Sequence, residues 1–497
     1  MPEQTEQHAP APVKPVENPY AVLRWLVLAT FVVILNETLM VNAIPRLIVD
    51  LDITARAAQW VSTAFMLTMA VVIPVTGWFL QRVTTRVAFR TAMLTFLAGS
   101  VIAGVAPVFP LLLAGRIVQA AGTAVMLPLL MTTLMTIVPE HDRGRVMGNV
   151  TLAISVAPAL GPAVSGVVLQ FGSWRLLFAV MVPIAGAVTW LALRHLVDVG
   201  EPAPSSIDVF SVVLAALGFG SLVYGLSLIG GPQGSARPTA FIVGGLAVVG
   251  LFVWRQVSLQ RKDAPLLDLR VLAHRTYTVG ITIQSVGFLA MMGAMILLPL
   301  YLQEMRGLSP LQTGLLVAPG GLAMGLLGPR VGAAFDKVGA RPLVIPASVG
   351  IVAGLALLSR IGETTPYVLV VAVHMLLMAS LAALFTPVFT ISLGALPGHL
   401  YSHGSSLLGT TQQVAGAVGT AVSITVLSSR ASSLLADGAS PAAASVGGFR
   451  WAFAVAAVVA VLVVGLVLLL PARVADVDPD ADPDADPSNE VEPAPAR

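Results

Sequence analysis

One acidic residue stands inside the first long apolar run of the chain. Glu37 lies in the stretch 35–45, which closes a run that begins near residue 21. If this run crosses a bilayer, an ionised carboxylate within it costs roughly 3 kcal/mol on insertion scales. Such an acid usually faces a cavity, has a partner or carries protons. Glu37 is therefore a candidate proton carrier, and a static buried ion pair that fixes helix packing is the alternative.

A base occurs at a matching depth in a later apolar run. Glu37 precedes the outer end of a span predicted over 21–45 by roughly 10 Å, and Arg116 follows the outer start of a span predicted over 110–137 by roughly 9 Å, at 1.5 Å per residue. Gln119 falls one turn from Arg116 on the same helical face. We expect the charge of Glu37 to be coupled to Arg116, with positional support as the alternative role for this arginine.

Further polar, aromatic and methionine side chains are candidates for lining a central cavity. His374 is the other clearly intramembrane titratable group, although a lone histidine is more often a hydrogen-bonded packing residue. The candidates for the cavity are Asn36, Met40, Trp60, Phe65, Met66, Gln119, Gln284 and His374.

Two more groups of residues are of types that could take part in conformational change. Small residues and prolines allow close helix approach and bending, and such residues in the fifth predicted span form a candidate gating motif: Pro158, Gly161, Pro162 and Gly166. Charged and glycine residues after the second and tenth predicted spans form a candidate inner-face latch: Gly77, Arg82, Arg86, Asp336, Lys337 and Arg341. Ordinary tight packing and plain positive-inside charge are the respective alternatives.

The composition requires that these residues sit on membrane helices. The chain has 497 residues, of which 56% are hydrophobic and 10% charged, whereas soluble proteins carry about 25% charge. Its apolar runs are long enough to cross a bilayer as helices and too long for a β-barrel. The sequence predicts an all-α polytopic protein with spans near 21–45, 57–80, 87–106, 110–137, 146–169, 175–196, 208–230, 239–258, 277–301, 310–334, 342–360, 366–389, 404–428 and 450–470.

An internal repeat organises these spans. Gly77 is followed by Arg82 and Arg86, and Gly332 is followed at the same offsets by Lys337 and Arg341. We therefore expect a six-helix bundle over 21–196, two inserted spans over 197–262 and a second six-helix bundle over 263–470, a known plan for transporters. Residues 1–20 and the acidic residues 471–497 are predicted to be disordered tails. Most of the 27 lysines and arginines fall on one side, which predicts cytoplasmic termini and a cell-membrane location.

Several kinds of chemistry are missing from the sequence. The chain has no Cys, which excludes thiolate metal sites and a Cys nucleophile. It lacks a phosphate-binding loop of the Gly-x-x-x-x-Gly-Lys-Ser/Thr type, a His-Glu-x-x-His pair and a Gly-x-Ser-x-Gly turn. We predict no enzyme activity, no cofactor or metal, and no binding of nucleotides or nucleic acid. The energy for transport would then come from an ion gradient, from the membrane potential or from the cargo's own gradient, and a proton gradient is the source we expect.

The motifs together resemble the major facilitator superfamily and, within it, the 14-span drug:proton antiporters, nearest the lincomycin-resistance branch. The resemblance rests on Asn36-Glu37-Thr38, on Gly77 with Arg82 and Arg86, on Arg116 with Gln119 and Gly122, and on Gly161-Pro162 with Gly166. It departs from the family where the usual acid is Asn36 and where the loop has Gln81 for Asp and Thr84 for Gly.

The resemblance implies a protein with two six-helix bundles that exports lipophilic or cationic drugs in exchange for protons. The Arg116 motif would take part in proton coupling, and the Gly161-Pro162 motif would mark an antiporter. A dedicated exporter of one endogenous lipid, antibiotic or siderophore is the alternative, and a non-transporting membrane sensor is a more distant one.

Overall fold

The computed structural model describes residues 19–199, 207–229, 236–262 and 265–471. Within these ranges every regular element is a helix, which confirms the all-α fold class. Fourteen helices have 18 or more residues, and thirteen of them are long and apolar enough to cross a membrane by length and composition. The remaining long helix, Arg143–Gln170, has 28 residues. The predicted disordered tails lie almost wholly outside the described residues, although the first helix begins at Pro19.

The α-helices follow one another with short connections. They are α1 Pro19–Leu39, α2 Ile44–Asp50, α3 Ala55–Arg82, α4 Thr85–Gly104, α5 Phe109–Ile137, α6 Arg143–Gln170, α7 Arg175–His195, α8 Val209–Ser227, α9 Arg237–Gln260, α10 Arg275–Leu300, α11 Pro310–Val338, α12 Arg341–Leu358, α13 Tyr367–Gly394, α14 Tyr401–Ala436 and α15 Pro441–Val467.

The first helix ends earlier than the sequence predicted. A single span was expected over 21–45, but α1 ends at Leu39, a 3-10 turn covers Met40–Ala43 and the short α2 begins at Ile44. Pro45 is the physical reason, because proline has no N–H and its ring clashes with the carbonyl four residues earlier. Proline is tolerated in the first turn of a new helix, where it stands in α2. Glu37 therefore lies in the last turn of α1.

Two groups of six helices can be distinguished by their packing. In the first group α1 packs against α5, α6 and α7, and α4 packs against α5 and α7. In the second group α10 packs against α13, α14 and α15, and α12 packs against α13 and α15. The helices α6 and α11 join the groups on one side, and α3 and α14 join them on the other. The inserted helices α8 and α9 pack against each other, and α8 also contacts α3 and α14.

The chain direction defines two ends of the molecule. We call the end that carries the α3–α4 and α11–α12 connections the basic end, and the other the opposite end. Gly339 closes α11 with φ 80°, in the left-handed region that favours glycine. At the corresponding place after α3, Thr84 has φ −68°. This extended conformation suits any residue, which explains why threonine can stand where related loops have glycine.

The closest approaches between α6 and α11 lie in the half nearer the basic end. A Cβ atom built on Gly332 would overlap the carbonyl oxygen of Gly144, and one on Gly328 would lie 2.7 Å from the carbonyl oxygen of Gly148. The two helices therefore touch main chain to main chain, as membrane helices do where small residues face each other.

Candidate functional site

Glu37 faces the interior of the first helix group. Its side chain is half-buried, and its charge is close enough to that of Arg116 on α5 for the two to attract. The two charges that the sequence placed at one depth are thus brought together. The helix that carries Glu37 also packs against α6 and α7.

Arg116 is held by several partners besides Glu37. It is only 1% exposed, its Nη1 donates to Oε1 of Gln119 at 2.5 Å, and its Nε donates to the carbonyl oxygen of Val61 at 3.5 Å. The ring of Phe65 lies 4.2 Å from the guanidinium carbon, within the range of a cation–π contact. The arginine is therefore fixed by α3 and α5, and its cost of burial is offset by these contacts.

A relay of hydrogen bonds sets the orientation of Gln119. The hydroxyl of Ser100 on α4 donates to the carbonyl oxygen of Phe96 at 2.8 Å, so it is left as an acceptor for Nε2 of Gln119 at 2.7 Å. The amide oxygen of Gln119 then points to Arg116, which can only donate. Ser100 was not singled out from the sequence, since a lone serine in an apolar helix carries no distinctive signal.

The α1–α6 contact lies next to Glu37. The hydroxyl of Thr38 donates to the carbonyl oxygen of Leu35 at 2.9 Å, and a Cβ atom built on Gly161 would lie 2.7 Å from Cβ of Thr38 and overlap its hydroxyl. Only glycine fits at this point of α6. By contrast, a Cβ atom on Gly166 would meet no atom within 4 Å. Pro158 and Pro162 both lie within α6.

Most of the predicted cavity residues are packed inside the protein. Six of the eight are at most 2% exposed, namely Asn36, Met40, Phe65, Gln119, Gln284 and His374. Met40 belongs to an apolar cluster with Leu47 and Val61, which favours a packing role over cavity lining. Phe65 covers Arg116. Trp60 and Met66 are partly exposed.

Three of these buried polar residues keep atoms without a partner. The amide oxygens of Asn36 on α1 and Gln284 on α10 have none, and Nε2 of Gln284 donates to the carbonyl oxygen of Phe385 at 3.1 Å. Nδ1 of His374 is also unpartnered, and its ring lies against Gly320 of α11. His374 therefore sits between α13 and α11, within the second group of helices.

The predicted latch residues separate into two kinds. Asp336 joins the two groups, because its Oδ1 and Oδ2 accept hydrogen bonds from the backbone N–H groups of Gly144 and Arg145, both at 2.8 Å. Arg86 and Arg341 instead act within a group: Arg86 donates to Leu193 at the end of α7, and Arg341 donates to Leu470 after α15.

The remaining latch positions lie around the α3 end. The side chain of Arg82 lies over the ring of Trp78 at 5.5 Å, and Lys337 is in the last turn of α11. Gly77 lies against His403 of α14, where a Cβ atom would be 2.9 Å from Nδ1 of the histidine. Gln81, which stands where related proteins have Asp, donates to the carbonyl oxygen of His399 at 2.8 Å.

The contacts of α14 with α3 and α5 near the basic end contain polar residues that the sequence did not reveal. Thr76 and Ser406 share a hydrogen bond of 2.7 Å, and Thr132 donates to Ser405 at 3.4 Å. The adjacent hydroxyl residues of α14 could have suggested a polar stretch, but their partners lie more than 270 positions away in the chain. Among the described residues, no group of three or more His, Asp or Glu side chains could hold a metal ion.

Comparisons with known proteins agree with this architecture. The family model of the Major Facilitator Superfamily matches residues 26–420. The lincomycin resistance protein LmrB of Listeria monocytogenes is 37% identical over 83% of this chain and 87% of its own length. A multidrug resistance protein B homolog of Mycobacterium tuberculosis is 28% identical over 80% of this chain and 74% of its own.

Two solved structures share the fold. The human organic anion transporter MFSD10 has a TM-score of 0.65 at 14% identity and covers 91% of this chain and 100% of its own. The proton:xylose symporter XylE has a TM-score of 0.61 at 16% identity and covers 89% and 94%. These proteins are transporters and not enzymes, and the resemblance read from the motifs is confirmed: this multi-pass membrane protein belongs to the major facilitator superfamily.

Proposed function

We propose that this chain is a proton-coupled multidrug exporter, which exchanges protons for amphipathic or lipophilic small molecules, some of them cationic. The observation that carries the proposal is the proximity of the half-buried Glu37 to the buried Arg116, two opposite charges among apolar helices that lie within range of mutual attraction. Enclosed charges are costly and mark ion pathways in membrane proteins. The relatives named for lincomycin and multidrug resistance support small-molecule drugs as the cargo.

The coupling follows from the electrostatics of the pair. A carboxylate enclosed by protein is stable as an anion only while an opposite charge stays close. A rearrangement that separates α1 from α5 would therefore favour proton uptake by Glu37. The return of α1 to α5 would bring Glu37 back to Arg116 and favour proton release. Phe65 and Gln119 keep Arg116 in place through this cycle. The proton would be the only ion that Glu37 exchanges, so no cofactor is needed.

The direction of transport follows from the distribution of charge. The described chain both begins and ends at the basic end, near Pro19 and Pro471. Lysines and arginines concentrate in cytoplasmic loops of membrane proteins. We place the basic end in the cytoplasm and the opposite end outside, so that protons enter from the opposite end while drugs leave towards it.

The interior suits broad rather than narrow recognition. Apolar side chains form most of it, and the unpartnered amide oxygens of Asn36 and Gln284 could accept hydrogen bonds from cargo once the helices move apart. A binding region that is mostly apolar and has few fixed polar groups discriminates weakly between small molecules of different shape. A panel of drugs and lipids in a pump-deleted host would distinguish this from the dedicated export of one compound.

Drug-dependent proton movement in proteoliposomes tests the proposal. The parent should release protons when drug is added under a pH gradient, and Glu37→Gln should lower this signal to that of empty liposomes while still binding drug. Arg116→Ala should reduce both coupling and stability. Glu304→Gln is the control, because Glu304 is exposed at the opposite end. Full proton flux by Glu37→Gln would show that another group carries the proton.

A further inference from the structure

The helices α3 and α14 touch each other only along part of their length. Near the basic end the contacts are direct: Gly77 lies against His403, Thr76 bonds to Ser406, and a Cβ atom on Gly409 would lie 3.1 Å from the side chain of Ile73. These contacts follow one another turn by turn up both helices, so the two bundles meet without an intermediary there.

In the other half, α8 takes the place of the direct contact. On the α3 side, a Cβ atom on Gly220 would lie 3.5 Å from the side chain of Val71, and the rings of Tyr224 and Trp60 lie 5.6 Å apart. On the α14 side, α8 contributes Leu222 and Leu226 to a buried apolar cluster that contains Ala421 and is lined by Val414, Ala417 and Val418. The change of partner on α14 thus occurs between residues 409 and 414, little more than one turn.

The inserted pair is built to hold α8 in this position. On its outer side α8 is backed by α9, where the ring of Phe241 packs edge-on against Tyr224 at 4.8 Å. Trp60, Tyr224 and Phe241 therefore form a ladder of rings from α3 through α8 to α9.

At the basic end, a polar network fixes the foot of α8. The Asp208 carboxylate accepts hydrogen bonds from Arg255 of α9 at 3.0 and 3.2 Å. Gln256 donates to Ser211 at 2.7 Å, and its Oε1 accepts from the backbone N–H groups of Leu266 and Leu267, on the way to α10. The pair is thus tied at one end and inserted between the bundles at the other.

We propose that α8 is a wedge that keeps α3 and α14 apart at the opposite end. In this role the inserted pair stabilises the conformation in which the basic end is closed, and it separates the central interior from lipid along this side of the molecule. When the opposite end closes, α3 and α14 must approach each other, so α8 has to leave its contact with one of them. Burial of the apolar faces of Leu222, Leu226 and Tyr224 opposes that step, since apolar surface resists exposure or loss of packing.

Distances between spin labels test the effect of α8 on the separation of α3 and α14 without a transport measurement. Labels at the exposed Gln59 and Ser433 report the separation of α3 and α14 at the opposite end, and the chain has no Cys to interfere. Trimming the wedge with Tyr224→Ala and Leu226→Ala should shift the distances towards shorter values. Leu217→Ala, on the exposed side of the same helix, should leave them unchanged.

Enlarging the wedge gives the opposite result. Gly220→Ala adds a methyl group at ordinary van der Waals distance from Val71, so it adds packing without overlap and should raise the share of molecules that show the longer distance. Equal distance distributions in the trimmed, enlarged and parent proteins would overturn the proposal. Because Gly220→Ala adds rather than removes packing, a folding defect of the trimmed variant would not leave the question open.

Paired cysteines test whether α8 must release one bundle. A Trp60→Cys and Tyr224→Cys pair ties α8 to α3, and a Leu226→Cys and Ala421→Cys pair ties it to α14. Either cross-link alone should allow the spin-label distances to change, whereas both together should fix the longer distance until a reductant is added. Unrestricted distance changes with both cross-links formed would contradict the wedge.

Discussion

The Asp336 carboxylate caps the first turn of α6 by accepting the backbone N–H groups of Gly144 and Arg145. A carboxylate at a helix N-terminus gains from both the hydrogen bonds and the helix dipole. Asp336 belongs to α11 and Gly144 to α6, so this interaction crosses from one bundle to the other at the basic end. In the first bundle Gln81 stands at the corresponding place and makes a neutral bond to His399. Of these two contacts that join the bundles at the basic end, the charged one is therefore supplied by the second bundle.

Asp336→Asn should open the basic end. Loss of the charge should cost about 1–2 kcal/mol of closure, or a factor of about 5–30 in the equilibrium. A cysteine at the buried Ser406 reports this opening through its rate of reaction with a water-soluble maleimide. Asp198→Asn is the matched control, because Asp198 accepts the backbone N–H of Arg86 within one bundle. Equal labelling rates in the two variants would show that Asp336 does not hold the bundles together.

Ser100→Ala should disturb proton coupling at a distance. Without the hydroxyl, Nε2 of Gln119 loses its acceptor, and an unsatisfied buried donor costs about 1–3 kcal/mol. Gln119 is then free to turn its amide, so the pH dependence of transport should change while drug affinity stays the same. Ser100→Thr should restore the parent profile. Thr123→Val is the control, since that hydroxyl bonds only to the backbone of Gln119. If Ser100→Ala kept the pH dependence of the parent, the hydrogen bonds of Ser100 would have no role in proton coupling.

Gly161→Ala should be far more harmful than Gly166→Ala. The added methyl group at position 161 would press on Thr38, one residue from Glu37, and overpacking of this kind costs about 1–3 kcal/mol. The added methyl at position 166 meets no atom, and alanine favours helix over glycine by up to about 1 kcal/mol. Melting temperatures in detergent and drug efflux in cells measure the two effects. Similar losses in both variants would point to a general effect of glycine in α6 instead.

The Asp208–Arg255 ion pair should give the inserted helices a pH-dependent attachment. Hydrogen bonds from Arg255 lower the pKa of the Asp208 carboxyl, aided by Ser211. A carboxyl whose pKa is lowered on folding contributes stability above its unfolded pKa, about 4, and loses it as the pH falls further. Asp208→Asn should therefore lower the melting temperature at pH 7 only slightly, because the pair is partly exposed and solvent screens it. The difference from the parent should shrink as the pH falls below about 4 and should disappear once the pH lies below the lowered pKa of the Asp208 carboxyl. A constant difference would exclude the ionic contribution.

The sequence was sufficient to predict the features that depend on the length of the apolar runs and on the position of a residue along its helix. Apolar runs predicted fourteen spans, and fourteen long helices occur in the described ranges. Counting residues from the predicted span ends placed Glu37 and Arg116 at one depth. In the structure their charges lie within range of mutual attraction, although α1 ends at Leu39 and not near residue 45. Both results rest on the fixed rise of a helix, which converts chain position into depth.

Other features depend on how each helix is rotated about its axis and on which distant helices it contacts. A single sequence does not carry this information. Phe65, one of the candidates for the cavity, covers Arg116, because its face of α3 turns towards α5. The position of α8 between α3 and α14 could not be anticipated, since apolar runs do not record which neighbours a helix has. Pro45 accounts for the early end of α1, which the span predicted over 21–45 did not anticipate.

The glycine contacts between α6 and α11 determine how the two bundles can move past each other. Where main chain meets main chain at Gly144, Gly148, Gly328 and Gly332, few side chains interlock, although Phe335 and Asp336 reach Gly144 and Thr151 reaches Gly328. A small rotation about this line therefore costs little torsional energy, and the line can serve as a fulcrum whose location is independent of the cargo. Any larger residue at these four positions would displace the fulcrum itself, so variation that broadens or narrows drug selectivity should be found elsewhere in the chain.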